Sequence, residues 1–220
     1  LRLPIGRALT WCGALEIKAG ERLTEEEREC VREAERAVEE TSGEVEKMIA
    51  VQVCEHTLKV HFREVDIHQL LRGWASAERW PLAEGRKARF EMDFGAENPM
   101  VRGERDLLAS LFQNLIGNAL KYGGEEVTVR LATQERGNGK VEVAVEDNGQ
   151  GIPAEAVERV FDKDFRLARD RKNIKGSGWG LYMVRRIAEA HGGSVRLESE
   201  EGRGSRFVVV LCHKKKWIML

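Results

Sequence analysis

Apolar residues at spacings of three and four mark one long amphipathic stretch, Leu107 to Tyr122, and the rest of the chain is arranged about it. Leu108, Leu111, Phe112, Leu115, Ala119 and Leu120 share one face of a helix there. Asn114 and Asn118 fall four apart, so both amides stand on one side of that helix. Gly123-Gly124 ends it. Upstream, Leu1 to about Ala19 predicts a helix with the stripe Ile5, Ala8, Leu9, Cys12 and Leu15, with Pro4 near its first turn and Gly20 after it. Thr24 and Glu27 form a capping box for a second helix reaching about Glu55. Its stripe is Val31, Ala34, Val38, Val45, Met48 and Ile49. At 1.5 Å per residue that helix runs about 45–50 Å, too long for the first helix alone to cover. Two such hairpins in a four-helix bundle would cover both stripes, which predicts a homodimer.

Alternation then replaces the helical period. Leu58, Val60 and Phe62 predict a strand over 58–66, and with it a domain boundary near residue 57. A helix over 67–77 follows, then strands over 88–94, 126–132 and 140–146. The last two are joined by the turn Arg136-Gly137-Asn138-Gly139. A short helix over 154–160, an amphipathic helix over 180–191 closed by Gly192-Gly193, and strands over 194–199 and 205–212 complete the pattern. The expected class is α+β: a helical hairpin over 1–57, an α/β domain over 58–212, and a basic-then-apolar tail over 213–220.

Hydrophobic residues make up 42% of the 220, enough for a substantial core. Thirty-six basic against thirty-seven acidic residues leave a net charge of −1, so no general electrostatic case exists for nucleic acid. Cys12, Cys30, Cys54 and Cys212 show neither CxxC nor metal-ligand spacing, which predicts reduced, mostly buried thiols of a cytoplasmic protein. No apolar run approaches the roughly 18–20 residues that span a bilayer, and no signal peptide is visible. The chain opens without Met, which predicts a fragment; membrane attachment, if any, would come from a region upstream.

Some chemistries are excluded. Asp93-Phe94-Gly95 mimics a magnesium-binding triplet of protein kinases, but no His-Arg-Asp loop precedes it. There is no GxxxxGK[ST] phosphate loop. What remains is an ordered set of four segments: the Asn114/Asn118 helix with Lys121 and Tyr122, then Asp147-Asn148-Gly149-Gln150-Gly151, then Gly176-Ser177-Gly178-Trp179-Gly180-Leu181, then Gly202-Arg203-Gly204-Ser205. Each alone is a common surface turn or a solvated helix end. In this order they resemble the N, G1, G2 and terminal glycine boxes of one ATP-binding domain. It is the Bergerat fold, a mixed sheet with helices on one face. Sensor histidine kinases, gyrase-type topoisomerases, ninety-kilodalton heat-shock chaperones and MutL-type repair proteins share it. The resemblance covers about Lys59 to Cys212.

That resemblance implies ATP and Mg²⁺ as ligands, with roles residue by residue. Asp147 accepts the adenine amine; Gly149 and Gly151 let the backbone approach the base; Tyr122 and Ser205 lie beside it. Asn118 supplies an oxygen to magnesium and Lys121 neutralises phosphate. Gly176, Gly178 and Gly180, followed by Leu181, present backbone N–H groups to phosphate at a helix start. Arg166 to Lys175 corresponds to a mobile lid. Phe161 and Phe165 resemble the family's F box at a spacing one residue wider than usual. Trp179 stands where Leu or Met is common and is expected to pack the lid or stack on ligand. Asn114 stands where gyrase-type and heat-shock-type enzymes carry a glutamate general base; an amide cannot take that proton, which favours a sensor histidine kinase, transferring phosphate to a protein histidine, over an ATPase of the same fold. The other alternative is a non-catalytic dimeric scaffold that senses nucleotide.

Leu1-Arg2-Leu3-Pro4-Ile5 resembles the tail of the His-Glu-Leu-Arg-Thr-Pro-Leu motif that opens the phosphoacceptor hairpin of histidine kinases. The family's phosphorylated histidine would lie two residues before Leu1. Leu3 replaces a Thr or Asn associated with dephosphorylating the partner, which predicts poor phosphatase activity. The implied partners are a response regulator receiver domain, docked on the hairpin, and a second copy of the chain. His56, His61, His68, His191 and His213 lie outside the motif and read as structural or surface residues.

Overall fold

The computed structural model describes residues 62–76, 80, 82, 85–137, 139–167 and 178–213, together with 23–31, 33–34, 37–38, 41 and 48. The first stripe, most of the hairpin expected over 1–57 and the tail beyond His213 lie outside them; of the second stripe Val31, Ala34, Val38 and Met48 are described, all helical and exposed or half-buried. The capping box is present: the Thr24 N–H donates to Glu27 Oε2 at 2.7 Å, and the Glu27 N–H donates to Thr24 Oγ1 at 3.3 Å. Residues 25–31 are helical after it.

Downstream the elements are β1 (Arg63–Asp66), α1 (Ile67–Arg72), β2 (Lys87–Phe94), β3 (Met100–Gly103), α2 (Arg105–Tyr122), β4 (Glu126–Arg136), β5 (Lys140–Asp147), α3 (Gly180–Ala190), β6 (Ser194–Glu200) and β7 (Gly204–Cys212). Five strands form one sheet in the order β2-β4-β5-β7-β6. The β2/β4 pair is parallel and the other three pairs are antiparallel, so the sheet is mixed. β1 and β3 make a separate antiparallel pair. Strand β3 is absent from the sequence reading. The helix expected over 67–77 stops at Arg72, where Gly73 caps it, and the one expected over 154–160 is a single 3₁₀ turn, Ala154–Ala156.

Alternation assigns the two faces of the sheet. Val129, Leu131, Val143, Val145, Phe207 and Val209 point to one side, where α2 and α3 cover them. Phe112, Leu111, Leu115 and Ile116 of α2 and Met183 and Ile187 of α3 are fully buried against that side. Each such side chain contributes about 1.5–3 kcal/mol on burial, so this layer carries the fold. The two helices are also tied end to end. His191, just past α3, accepts the Glu104 N–H on Nε2 at 3.0 Å, while its Nδ1 stands 2.7 Å from the Ile187 carbonyl. That pairing fixes the proton on Nδ1. The Glu104 carboxylate then caps α2 by accepting the Leu107 N–H at 2.7 Å.

The opposite face is polar and ordered. Register places Glu91, Arg130, Glu146, Arg206 and Glu198 side by side across all five strands, alternating in sign. Beyond an intervening row that holds Ala132, Ala144 and Val208, Glu142, 1% exposed, receives hydrogen bonds from Gln134, Arg136 and Arg196. No helix among the described residues is long and apolar enough to cross a membrane. Cys30 is exposed and Cys212 half-buried, which corrects the expectation of mostly buried thiols for these two; Cys12 and Cys54 lie outside the described residues.

Candidate active site

The last two turns of α2 present Asn114, Asn118, Lys121 and Tyr122 on the helix face turned toward α3. The helix ends without a left-handed cap: Gly123 is extended, at φ −70° and ψ 160°. Its last carbonyls are met instead by Arg86, from the loop before β2. The guanidinium donates to the Leu120 carbonyl at 2.6 Å and to the Gly123 carbonyl at 2.7 Å. Both bonds come from Nη2, and Nε donates to the Gly124 carbonyl at 3.2 Å, so two nitrogens of one guanidinium hold three carbonyls; a cation also suits a helix C-terminus.

β5 delivers Asp147 beside that helix end. The turn that follows is held on three sides. The Asn148 side chain accepts the Thr128 N–H at 2.8 Å. The Gln150 N–H reaches the Tyr122 carbonyl at 3.3 Å, and the Gly202 N–H donates to the Gln150 carbonyl at 2.8 Å. Two glycines are required by this crowding. Gly151, at φ +66°, would drive a Cβ into the Glu200 carbonyl, and Gly204, at φ +100°, would drive one into the Asp147 carbonyl.

These elements enclose a cavity of about 250 Å³, a little under the ~300–1,000 Å³ usual for small-molecule sites. Asn114, Asn118, Lys121, Tyr122, Asp147, Gly151, Gly178, Gly180, Leu181 and Ser205 all line it. Gly149 does not, but its N–H donates to Asp147 Oδ1 at 2.9 Å. Gly176 lies outside the described residues, as does the lid expected over 166–175 apart from Arg166 and Leu167. Ile152, Val160, Leu167 and Phe207 also line the cavity and were not singled out from sequence. Phe207 had a signal: it stands two residues after Ser205 on one strand and so shares its face. Phe165 lines the cavity, whereas Phe161 packs edge-on against Phe207 at 6.2 Å under the Arg185 guanidinium. Trp179 is buried outside the cavity. It packs edge-on against Tyr182, carries Lys163 over its ring at 4.7 Å, and donates its indole N–H to Asp164.

The electrostatics suit an anionic ligand that also carries a donor. Asp147 is 8% exposed, and burial pushes its carboxyl above the usual range. The N–H groups of Gly149 and Ser205 pull the other way, and nearby Glu146 adds to the rise. Asn114 Nδ2 is buried with no hydrogen-bond partner, an unmet donor that costs about 1–3 kcal/mol. α3 begins beside the cavity with no side chain capping its first turn, and Gly180 and Leu181 line the cavity there, as suits an anion at a helix start. Among the described residues no three His, Cys, Asp or Glu side chains could hold a metal together. Asn118 offers one neutral oxygen, which fits a magnesium ion that takes its other ligands from substrate phosphates and water. An adenine nucleotide with magnesium therefore suits the residues present.

Residues 103–215 match the family model for the histidine kinase-, DNA gyrase B-, and HSP90-like ATPase. The adaptive-response sensory kinase SasA of Thermosynechococcus vestitus is 33% identical over 174 residues, covering 78% of this chain and 45% of that protein. SasA of Synechococcus sp. (strain JA-2-3B'a(2-13)) is 38% identical over 130 residues, 59% of this chain and 34% of that one. The chain thus spans less than half the length of these curated relatives. Among solved structures, full-length ShkA in complex with AMPPNP superposes with a TM-score of 0.71 at 26% identity, over 96% of this chain and 43% of that one. The histidine kinase AdeS of Acinetobacter baumannii shares the fold, with a TM-score of 0.64 at 15% identity over 97% of this chain and 98% of that one.

Proposed function

The chain belongs to the histidine kinase-, DNA gyrase B-, and HSP90-like ATPase family, and from that premise we propose that it is the catalytic core of a two-component sensor histidine kinase. It binds Mg-ATP in the cavity between α2 and α3 and directs the γ-phosphate to a histidine of the helical hairpin, just upstream of Leu1. A response regulator docked on that hairpin then receives the phosphoryl group on an aspartate. The hairpin over 1–57 dimerises, and the ATP-binding domain occupies 58–212, on the cytoplasmic side.

In this reading Asp147 and Ser205 hold the adenine edge and Tyr122 flanks the ring. Gly149 and Gly151 keep the backbone close to the base. Asn118 holds the magnesium, which when bound neutralises phosphate charge. Lys121 adds a second positive charge, and the N–H groups of Gly176, Gly178, Gly180 and Leu181 cradle the phosphates. Phosphoryl transfer asks mainly for positioning and charge neutralisation, and these residues supply both.

One observation supports transfer to protein over release to water. Asn114 walls the same cavity as Asn118 and Lys121, and an amide has no basic site with which to activate water. A chain extended upstream through the histidine, given ATP and Mg²⁺, is expected to acquire acid-labile, base-stable phosphate. Steady release of inorganic phosphate with no phosphoprotein would assign an ATPase instead.

A further inference from the structure

The floor of the cavity continues beyond its lining. Register sets Asp147 of β5 opposite Ser205 of β7, and Ser205 opposite Ser199 of β6. The three form one row on the helix-covered side of the sheet. Ser199 belongs to none of the glycine boxes and does not line the cavity. Its oxygen accepts the Ile152 N–H at 2.9 Å, and it lies 2.8 Å from the Gly204 carbonyl and 3.1 Å from Ser205 Oγ.

A hydroxyl carries a single proton. The Gly204 carbonyl is the nearer of the two acceptors and cannot itself donate, so it takes the Ser199 proton. The contact with Ser205 then needs the Ser205 proton, which points at Ser199 and away from the cavity. Only lone pairs of Ser205 are left facing the ligand. Beside it, ionised Asp147 is acceptor-only as well, and it already receives the Gly149 and Ser205 N–H groups.

We infer that Ser199 is a specificity-determining positioning residue: by holding the Ser205 proton, it leaves only acceptors facing the 6-substituent of a bound purine, which favours a 6-amino over a 6-oxo group. The inference rests on the nucleotide reading above and deepens it. Without the Ser199 oxygen, Ser205 is free to turn its O–H into the cavity and donate to a 6-oxo group, so discrimination narrows.

ADP and IDP share ribose and diphosphate and differ only along the N1/C6 edge, a 6-amino group beside an acceptor N1 against a 6-oxo group beside an N1–H, so the ratio of their affinities cancels general losses of packing. Calorimetric titration of both ligands into the chain, Ser199→Ala and Ser199→Thr tests the inference. Ser199→Ala is expected to lower the ADP-to-IDP ratio by roughly fivefold to tenfold, the worth of one hydrogen bond. Ser199→Thr, which keeps the hydroxyl, should restore it. A folded Ser199→Ala with an unchanged ratio overturns the inference. If Ser199→Ala does not fold, Ser205→Ala carries the test: it removes the acceptor itself, its ratio should fall likewise, and an unchanged ratio overturns the inference equally. An unaltered chain that binds neither ligand overturns the nucleotide reading and this inference together, whereas selective ADP binding with insensitive variants overturns this inference alone.

Discussion

Glu142 and Asp147 stand on the same strand, β5, but on opposite faces of the sheet, and their carboxyl groups are shifted in opposite directions. Burial raises both. At Glu142 the hydrogen bonds from Arg196, Gln134 and Arg136 more than offset that burial and hold the carboxyl below its ordinary value. At Asp147 only backbone N–H groups oppose burial, and the group stays above its ordinary value. One carboxylate is satisfied within the protein. The other keeps acceptor capacity for something else.

Glu142 is therefore expected to stabilise the fold. Its folded pKa is depressed, so its contribution is present above the unfolded value of about 4.3 and is lost as pH falls through the folded value. Glu142→Gln removes the counter-charge of Arg136 and Arg196, which are about half exposed and can turn to water. The expected cost is about 1–2 kcal/mol at neutral pH. Urea unfolding of both proteins from neutral to acidic pH checks it: the two curves should converge on acidification. A constant gap between them would show that Glu142 acts through packing alone.

Asp147 carries the opposite sign. Its folded pKa is raised, so the stability it contributes at low pH is lost as pH rises through that value. At neutral pH its ionised form is a cost to folding, retained for ligand. Asp147→Asn is expected to be at least as heat-stable as the parent and to bind ADP on the order of 100-fold more weakly, since an amide NH₂ can replace the acceptor. ADP affinity of the parent should decline on acidification with a midpoint above the ordinary aspartate value of about 3.9. Calorimetry between about pH 7 and pH 4 reads that step, and its persistence in Asp147→Asn would assign it to another group.

Elements with a strong, local period were legible from sequence. α2 is legible within two residues because six apolar positions repeat over four turns, and β5 because Val141, Val143 and Val145 alternate with Glu142, Ala144 and Glu146. β3 was missed because four residues squeezed between Pro99 and α2 are too few to show a period. β4 was cut short at Ala132, since Thr133 is an inward-facing polar residue that breaks the alternation, although it is 4% exposed. The glycine boxes brought most of the cavity lining with them, because each places several contacts in one short segment. Arg86 and Ser199 had no such signal. Each acts on a partner from another element: Arg86 lies 34 residues from the Leu120 carbonyl it holds, and Ser199 meets Ile152 across 47. Residue type alone does not mark them, for an arginine in a loop and a serine in an edge strand are ordinary.

Arg86 gives the last test, because its effect on ligand must pass through α2. With the guanidinium gone, the carbonyls of Leu120 and Gly123 lose their shared donor, and the turn carrying Lys121 and Tyr122 loses its anchor. The Tyr122 carbonyl is also where the Gln150 N–H docks, so the turn after Asp147 loosens with it. Arg86→Ala is expected to weaken ADP binding by roughly tenfold and to lower stability by about 1–2 kcal/mol. Arg86→Lys should recover only part of either, since one ammonium nitrogen can stand in for Nη2 but cannot also supply the Nε–H that reaches the Gly124 carbonyl. A folded Arg86→Ala with parental ADP affinity would reduce the clamp to a stabilising helix cap with no part in positioning ligand.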